Sequence, residues 1–169
     1  SMIGLGMRDT EDGVEALLAE GVSGSYFPLL EIMPAAGRLL GPDDDIDLGA
    51  HPVVVLSHAF WQRAFAGDPG VIGTEIVLSG LPYTVVGVVP ASYTGMSRGM
   101  SPEIFISIRM VDALDGSADS KLATRRNHSL FVRGRLQQGV SIEQARSGEH
   151  TAVLQSQAYL ACRLPLDKY

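Results

Sequence analysis

Apolar positions along the chain recur with two different periods, and these periods predict most of its strands and helices. Val53 to Leu56 is a continuous apolar run, which predicts a strand buried on both faces. Ser57 is placed to cap a helix that follows this strand. That helix presents one broad apolar face, formed by Phe60, Trp61, Ala64 and Phe65.

β-Branched residues predict a hairpin after this helix. Its two strands are Glu75 to Ser79 and Tyr83 to Val89, with Gly80 and Pro82 in the short connection between them. Glu103 to Ile108 has the same character and predicts one further strand.

The N-terminal part of the chain has a less regular pattern. Ile3 to Gly13 is glycine-rich and polar, and predicts a frayed or truncated entry. Glu15 to Val22 predicts a strand, because glycines stop the run that Ala-Leu-Leu-Ala-Glu would otherwise favour as a helix. Ser25 to Ile32 predicts a short helix that Pro34 ends. Two apolar side chains of this helix are expected to point inward, Phe27 and Leu30.

The C-terminal part begins with a polar stretch, Asp115 to Asn127, which predicts a linker between two lobes. Ser129 to Leu136 alternates in polarity and predicts a strand. Ser141 and Gln144 form a capping box, which predicts a long helix that runs to about Leu164. Strands and helices in this order favour a mixed α+β fold.

Composition and charge narrow the classes of function. The chain of 169 residues is 46% hydrophobic, which is enough to form the core of one domain or two small lobes. Its formal net charge of −6 argues against a nucleic-acid-binding protein, which normally presents a basic surface. Cys162 is the single cysteine, so an internal disulfide is excluded. No apolar run reaches the ~20 residues that span a bilayer. Ser1-Met2 resembles a cloning scar, so we expect an excised piece of a longer protein.

Acidic residues cluster between the predicted helix Ser25 to Ile32 and the predicted strand Val53 to Leu56. Their carboxylates could ligate calcium, but the cluster lacks the spacing and the closing glutamate of an EF-hand loop. The alternative is a solvated loop whose first aspartate caps a turn. The members of the cluster are Asp43, Asp44, Asp45 and Asp47.

No arrangement of histidines or cysteine predicts a zinc site, because no pair has zinc-ligand spacing. The four histidines are His51, His58, His128 and His150. A hydrolase that uses His58 or His128 with an aspartate is one alternative function, and it requires these side chains to meet in one cleft. A soluble ligand-binding module with a pocket beside Trp61 is another, although a core position for this tryptophan is favoured. We expect no catalytic residue, no metal and no cofactor.

Two methionines stand out in a loop rich in glycine and serine. Met96 and Met100 are flanked by Gly95 and Gly99 within the loop from Ala91 to Pro102. Methionine adapts to irregular apolar surfaces, so this loop is a candidate surface for a partner. An ordinary loop that folds back on its own lobe is the alternative.

A series of motifs, in order along the chain, resembles a known family. Val22 to Phe27, followed by Gly37-Arg38, resembles a "VSGNYF…GR" segment. Val53 to Trp61 resembles "VVVLSYGFWQRRF", and Gly67 to Gly73 resembles "GGDPxVIG". The later pieces are similar to "FTVVGVAP" and "VxGRLKPGVSxxQA", and they are found in Tyr83 to Pro90 and in Val132 to Ala145. Together the motifs resemble the extracytoplasmic core domain of MacB-like and FtsX-type ABC-transporter permeases, in the branch common in acidobacteria.

The resemblance implies a two-lobed α+β domain, with a porter-type βαβ lobe and a small inserted α+β lobe. On this basis we expect residues 1–21 to be a truncated entry and first strand region, and residues 22–114 to be the inserted lobe. Residues 115–127 are the expected linker, and residues 128–169 the C-terminal part of the porter-like lobe. Ser107 stands where the family often has proline, a change that we expect to have little functional meaning.

The resemblance also implies a non-catalytic function. Such domains relay ATP-driven motion to a substrate or a periplasmic partner, while a separate cytoplasmic domain hydrolyses ATP. The implied partners are the transmembrane helices of the same permease, the ATPase indirectly, a second permease copy, and a periplasmic adaptor or lipophilic substrate, but no nucleic acid. The implied location is an inner-membrane protein with this segment on the periplasmic side.

Overall fold

The strands of the chain pair with one another in a ring. The computed structural model describes residues 2–8, 13–96, 99–114, 131, 134–136 and 139–141. The strands in these ranges are β1 (Met2–Arg8), β2 (Val14–Val22), β3 (Ala36–Gly37), β4 (Val53–Leu56), β5 (Glu75–Leu78), β6 (Leu81–Val88) and β7 (Ile104–Ser107). The α-helices are α1 (Tyr26–Leu30), α2 (His58–Phe65) and α3 (Ile108–Leu114), and 3₁₀ helices cover Pro42–Asp45 and Pro69–Val71.

The strand order is β3-β6-β4-β7-β2-β1-β5, and β5 also pairs with β6. Six strands therefore form a closed ring, with β3 attached beside it on β6. Two pairings, β2 with β7 and β4 with β6, are parallel, and the others are antiparallel. The contact between β1 and β5 rests on one residue pair, Met7 opposite Leu78. This mixed sheet with few helices confirms the predicted α+β class.

Two hydrophobic clusters lie on opposite faces of the central strands. On β4, Val54 and Leu56 belong to one cluster and Val55 belongs to the other. On β7, Ile104 and Ile106 belong to the same cluster as Val54, and Phe105 belongs to the same cluster as Val55. The prediction that Val53 to Leu56 is buried on both faces is confirmed, because only Val53 retains partial exposure.

Tyr83 places a hydroxyl group inside the cluster that contains Val54 and Leu56, called here the first hydrophobic cluster. The side chain is fully buried, and no described residue hydrogen-bonds its hydroxyl. Burial raises the pKa of Tyr83 to about 12, because the charged phenolate would lose its hydration. The phenol therefore stays neutral at physiological pH.

The two elements with the strongest local signals form as predicted. Ser57 caps α2, since its hydroxyl accepts a hydrogen bond from the backbone N–H of Phe60 at 3.1 Å. The hairpin turns at Ser79 and Gly80, which have φ values of 48° and 86°. Both values are positive, as a two-residue turn between twisted antiparallel strands requires.

Several expectations for the N-terminal part are wrong. Met2–Arg8 is a regular strand and not a frayed entry, because it pairs along its whole length with β2. Helix α1 ends at Leu30, well before Pro34, since Glu31 takes a left-handed conformation with φ 54°. Phe27 is buried as expected, but Leu30 is only half-buried.

Two further differences concern helices. The apolar face of α2 is narrower than predicted: Phe60 is buried, Trp61 and Phe65 are half-buried, and Ala64 is exposed. Only Phe60 is fully buried, while Trp61 and Phe65 pack against the same cluster and stay partly exposed, so the buried stripe of the helix is thin. The strand predicted to extend to Ile108 ends at Ser107. Helix α3, which the sequence pattern did not predict, begins at Ile108.

The chain divides into two compact units, Ser1–Leu130 and Phe131–Tyr169. In the first unit, β1 and β2 belong to the same sheet as the strands between residues 22 and 114. The assignment of the four segments to lobes and linker remains a prediction. The linker 115–127 and the long helix lie outside the described residues, as does most of the strand predicted for Ser129 to Leu136, whose described residues 131 and 134–136 are not in a strand. No helix in the described ranges combines the length and hydropathy needed to cross a membrane.

Candidate functional site

The loop between β6 and β7 carries the two methionines, and aromatic residues hold its base. The hydroxyl groups of Tyr93 and Tyr26 lie 2.6 Å apart in a hydrogen bond. The ring of Tyr93 also packs at 6.3 Å from that of Phe27 and 5.9 Å from that of Phe105. These contacts join the loop to α1 and to β7.

The methionines beyond this base are exposed to solvent. Met96 retains 37% of its surface and Met100 retains 48%. The neighbouring glycines, Gly95 and Gly99, have φ values of 93° and 83°, which few other residues adopt. A β-carbon at Gly95 would lie 2.7 Å from the ring of Pro102, so the loop closes tightly on itself there. The predicted role of this loop as a partner surface remains a prediction.

Asp44 binds other protein groups instead of facing solvent. Its carboxylate is buried and accepts two hydrogen bonds from the guanidinium of Arg38, at 2.6 and 2.8 Å. It also accepts the backbone N–H of Gly41 at 2.9 Å. The expectation of a solvated loop capped by its first aspartate is therefore wrong. Asp44 is the capping residue, and Asp43 is exposed.

Asp45 joins three separate segments of the chain. Its carboxylate accepts hydrogen bonds from the backbone N–H of Gly24, at 3.1 Å, and from the hydroxyl of Ser107. Its backbone carbonyl accepts from Nε of Arg109 at 2.9 Å. Sequence reasoning placed Asp45 among possible calcium ligands and gave Ser107 little functional meaning. It did not predict these contacts, because Asp45 lies 21 residues from Gly24 and 62 residues from Ser107 in the chain.

These contacts favour a structural interpretation of the aspartates over a calcium site. Asp44 and Asp45 already bind protein donors, and Asp47 is exposed. Within the ranges that the structure describes, no group of three or more histidine, cysteine, aspartate or glutamate side chains could hold a metal ion.

The pH dependence of Asp44 gives a testable prediction. Burial alone would raise its pKa, but the hydrogen bonds from Arg38 and Gly41 outweigh this effect and lower the pKa below its ordinary 3.8. A lowered pKa in the folded state means that the ionised form stabilises the fold above pH 3.8 and that this contribution is lost as the pH falls further. We expect Asp44→Asn to lower the free energy of unfolding by about 1–3 kcal/mol at pH 7.

Urea unfolding between pH 7 and pH 3 would measure this effect. The difference between wild type and Asp44→Asn should shrink at the acidic end of the range. Asp43→Asn is the matched control, because Asp43 is exposed in the same 3₁₀ helix, and it should change the free energy of unfolding by less than about 0.5 kcal/mol. A constant difference at all pH values would contradict the assignment.

A second polar network joins α2 to the sheet. The guanidinium of Arg63 contacts the carboxylates of Glu15 and Glu103 at 2.8 and 2.6 Å. The other oxygen of Glu103 accepts the backbone N–H of Leu18 at 3.0 Å. Because Arg63 is half exposed, we expect the ion pairs themselves to contribute little to stability. Their effect is to fix the ends of β2 and β7 beside α2.

Trp61 and His58 lie against the ring. Trp61 packs on the first hydrophobic cluster, and its indole N–H donates to the carbonyl of Asp68 at 2.9 Å. The His58 ring contacts Trp61 edge to face at 5.5 Å. Among the described residues no carboxylate hydrogen-bonds His58, and His128 lies outside those ranges. These contacts favour a packing role for both side chains over a pocket or a hydrolase centre.

Comparison with protein families assigns the fold. The family model of the MacB-like periplasmic core domain matches residues 3–148. The chain belongs to this family. It is a family of non-catalytic periplasmic domains of ABC-transporter permeases. The predicted resemblance is thus confirmed, although the acidobacterial branch stays a prediction.

Solved structures show the same fold as this MacB-like domain. The extracellular domain of the noncanonic ABC-type transporter YknZ from Gram-positive bacteria is 18% identical, with a TM-score of 0.52, over 69% of this chain and 56% of that one. A domain of a putative permease from Porphyromonas gingivalis is 16% identical, with a TM-score of 0.51, over 84% of this chain and 56% of that one.

The periplasmic region of MacB from Actinobacillus actinomycetemcomitans is 23% identical, with a TM-score of 0.48, over 66% of this chain and 46% of that one. The MacB-like domain described here therefore spans about half the length of these solved domains. A search of curated proteins finds no significant match.

Proposed function

We propose that this domain relays ATP-driven motion within an ABC-transporter permease to a substrate or a periplasmic partner. The observation that carries the proposal is the family match over residues 3–148. The permease would lie in the inner membrane, with this domain on the periplasmic side and its own transmembrane helices as the first partners. ATP hydrolysis would occur in a separate cytoplasmic domain, and we expect the domain itself to catalyse no reaction. A second permease copy and a periplasmic adaptor or lipophilic substrate are the further expected partners.

The ring of strands supports a mechanical function. The ring leaves none of its six strands with a free edge, and hydrophobic clusters pack on both faces of its central strands, which favours a stiff body. A rigid body is what a relay requires, since a soft one would absorb the displacement.

The methionine loop supports a contact with a partner. Its base is fixed by Tyr93, while Met96 and Met100 beyond it remain exposed. A rigidly based loop with flexible apolar side chains suits a surface that must meet a partner in more than one arrangement. We therefore propose this loop as the surface that contacts the partner or substrate.

Site-specific photo-crosslinking in the full-length permease, assembled with its ATPase in cells, would test this function. A photoreactive amino acid at position 96 or 100 should give crosslinked products whose yield changes several-fold when the ATPase is made unable to hydrolyse ATP. Position 33 is the matched control, because Met33 is a more exposed methionine, at 75%, in a different loop. An equal yield of crosslinked products at position 33, or a yield at positions 96 and 100 that does not change when ATP hydrolysis is blocked, would contradict the proposal.

A further inference from the structure

Two parallel strands, β2 and β7, end side by side, and the chain leaves them in different directions. Val22 lies opposite Ser107 in their register, so both carboxyl ends meet at the same edge of the ring. From β2 the chain enters a turn at Gly24 and then α1, whereas from β7 it enters α3 directly. The point of divergence leaves backbone donors of both branches without a strand partner.

Asp45 occupies this point and hydrogen-bonds to both branches. One carboxylate oxygen accepts from the N–H of Gly24, and the other accepts from the hydroxyl of Ser107. The same hydroxyl accepts the backbone N–H of Arg109 at 3.1 Å, in the first turn of α3. The Arg109 side chain returns to the carbonyl of Asp45. Asp45 thus connects the start of α3 with the turn before α1 and with its own 3₁₀ helix.

We propose that Asp45 is the positioning residue that couples α3 to the 3₁₀ helix Pro42–Asp45 and to α1. This inference rests on the proposed relay function. Helix α3 follows β7 directly and packs against both β2 and β7, with Met110 in the core of the ring. Through Asp45 a displacement of α3 would pass directly to the 3₁₀ helix Pro42–Asp45 and to the turn before α1.

The neighbouring Asp44 separates this role from ordinary stabilisation. It lies in the same 3₁₀ helix and is also hydrogen-bonded, but its partners are Arg38 and Gly41. None of its hydrogen bonds reaches α3. Removing either carboxylate should therefore destabilise the fold, whereas only removal of the Asp45 carboxylate should disconnect α3 from the turn before α1.

Hydrogen exchange in the full-length permease with its ATPase would test the coupling, with and without ATP and vanadate. In the wild type, exchange should change together in Ile108–Leu114, Pro42–Asp45 and Tyr26–Leu30. In Asp45→Ala the change in Ile108–Leu114 should persist and the change in Tyr26–Leu30 should be lost. Pro42–Asp45 should keep its change, because the Arg109 side chain still donates to the backbone carbonyl of residue 45. The basal exchange rate of the Gly24 amide should rise by roughly tenfold or more, because its acceptor is gone.

Asp44→Ala is the matched control and should keep the coupled change in all three segments. Ser107→Ala combined with Arg109→Ala removes both links from α3 to residue 45. It is the second variant, to be used if Asp45→Ala does not fold, and it should uncouple Tyr26–Leu30 from α3 in the same way. A coupled change in Tyr26–Leu30 that survives in Asp45→Ala, or that is lost in Asp44→Ala as well, would overturn the inference. A wild type that shows no ATP-dependent change in any segment would instead overturn the relay function, and the coupling with it.

Discussion

Replacing Gly87 by alanine is expected to lower the free energy of unfolding by about 3 kcal/mol or more. A β-carbon at this position would lie 1.9 Å from the carbonyl oxygen of Arg38, far inside van der Waals contact. The obstacle is backbone, and it cannot move freely because the N–H of Arg38 donates to the carbonyl of Val86 at 2.8 Å. Alanine would therefore separate β3 from β6.

Urea or guanidinium unfolding would measure this loss. Gly4→Ala is the matched control, since a β-carbon at Gly4 of β1 meets no atom within 4 Å. It should leave the free energy of unfolding unchanged or raise it by up to about 1 kcal/mol, because alanine loses less chain entropy than glycine on folding. A Gly87→Ala variant within 1 kcal/mol of wild type would contradict the close approach of the two backbones.

The second large effect is expected at Phe60, the one side chain of α2 that is fully buried. It packs in the first hydrophobic cluster and edge to face with Phe65 at a ring distance of 5.9 Å. We expect Phe60→Ala to cost about 3–5 kcal/mol, from lost burial and from the cavity that remains. In a small domain such a loss is a large fraction of the total stability.

Thermal or chemical unfolding of Phe60→Ala would check this value against Gln62→Ala. Gln62 is exposed on the same helix, and alanine favours helix, so this control should change the free energy of unfolding by less than about 1 kcal/mol. Similar losses in both variants would show that α2 stabilises the fold through its backbone and not through Phe60.

The elements that sequence reasoning predicted are those with local signals. The capping hydroxyl of Ser57 and the turn at Ser79 and Gly80 act over a few residues, so their spacing is visible in the sequence. Strand β1 was missed because its glycines carry no alternation in polarity. Its strand conformation comes from pairing with β2, a tertiary contact that overrides weak local preference.

The candidate functional residues divide in the same way. The exposure of Met96 and Met100 was foreseeable from the glycine-rich loop around them. The role of Asp45 was not, because it depends on Gly24 and Ser107, which only the ring brings together. A cluster of aspartates looks alike in sequence whether its members bind solvent, a cation or the protein itself. Only their partners distinguish these states.

The parallel pairing of β2 with β7 also governs the order in which the domain can fold. The partners Leu18 and Glu103 are 85 residues apart, so the chain must close a long loop before the ring exists. Contacts of such long range slow folding, because the chain loses conformational entropy on closing the loop before the stabilising contacts form. During synthesis β2 would therefore lack this partner strand, and its apolar side chains would stay exposed until β7 emerges. Exposed apolar strands aggregate readily, so the nascent chain would need protection from aggregation over that interval.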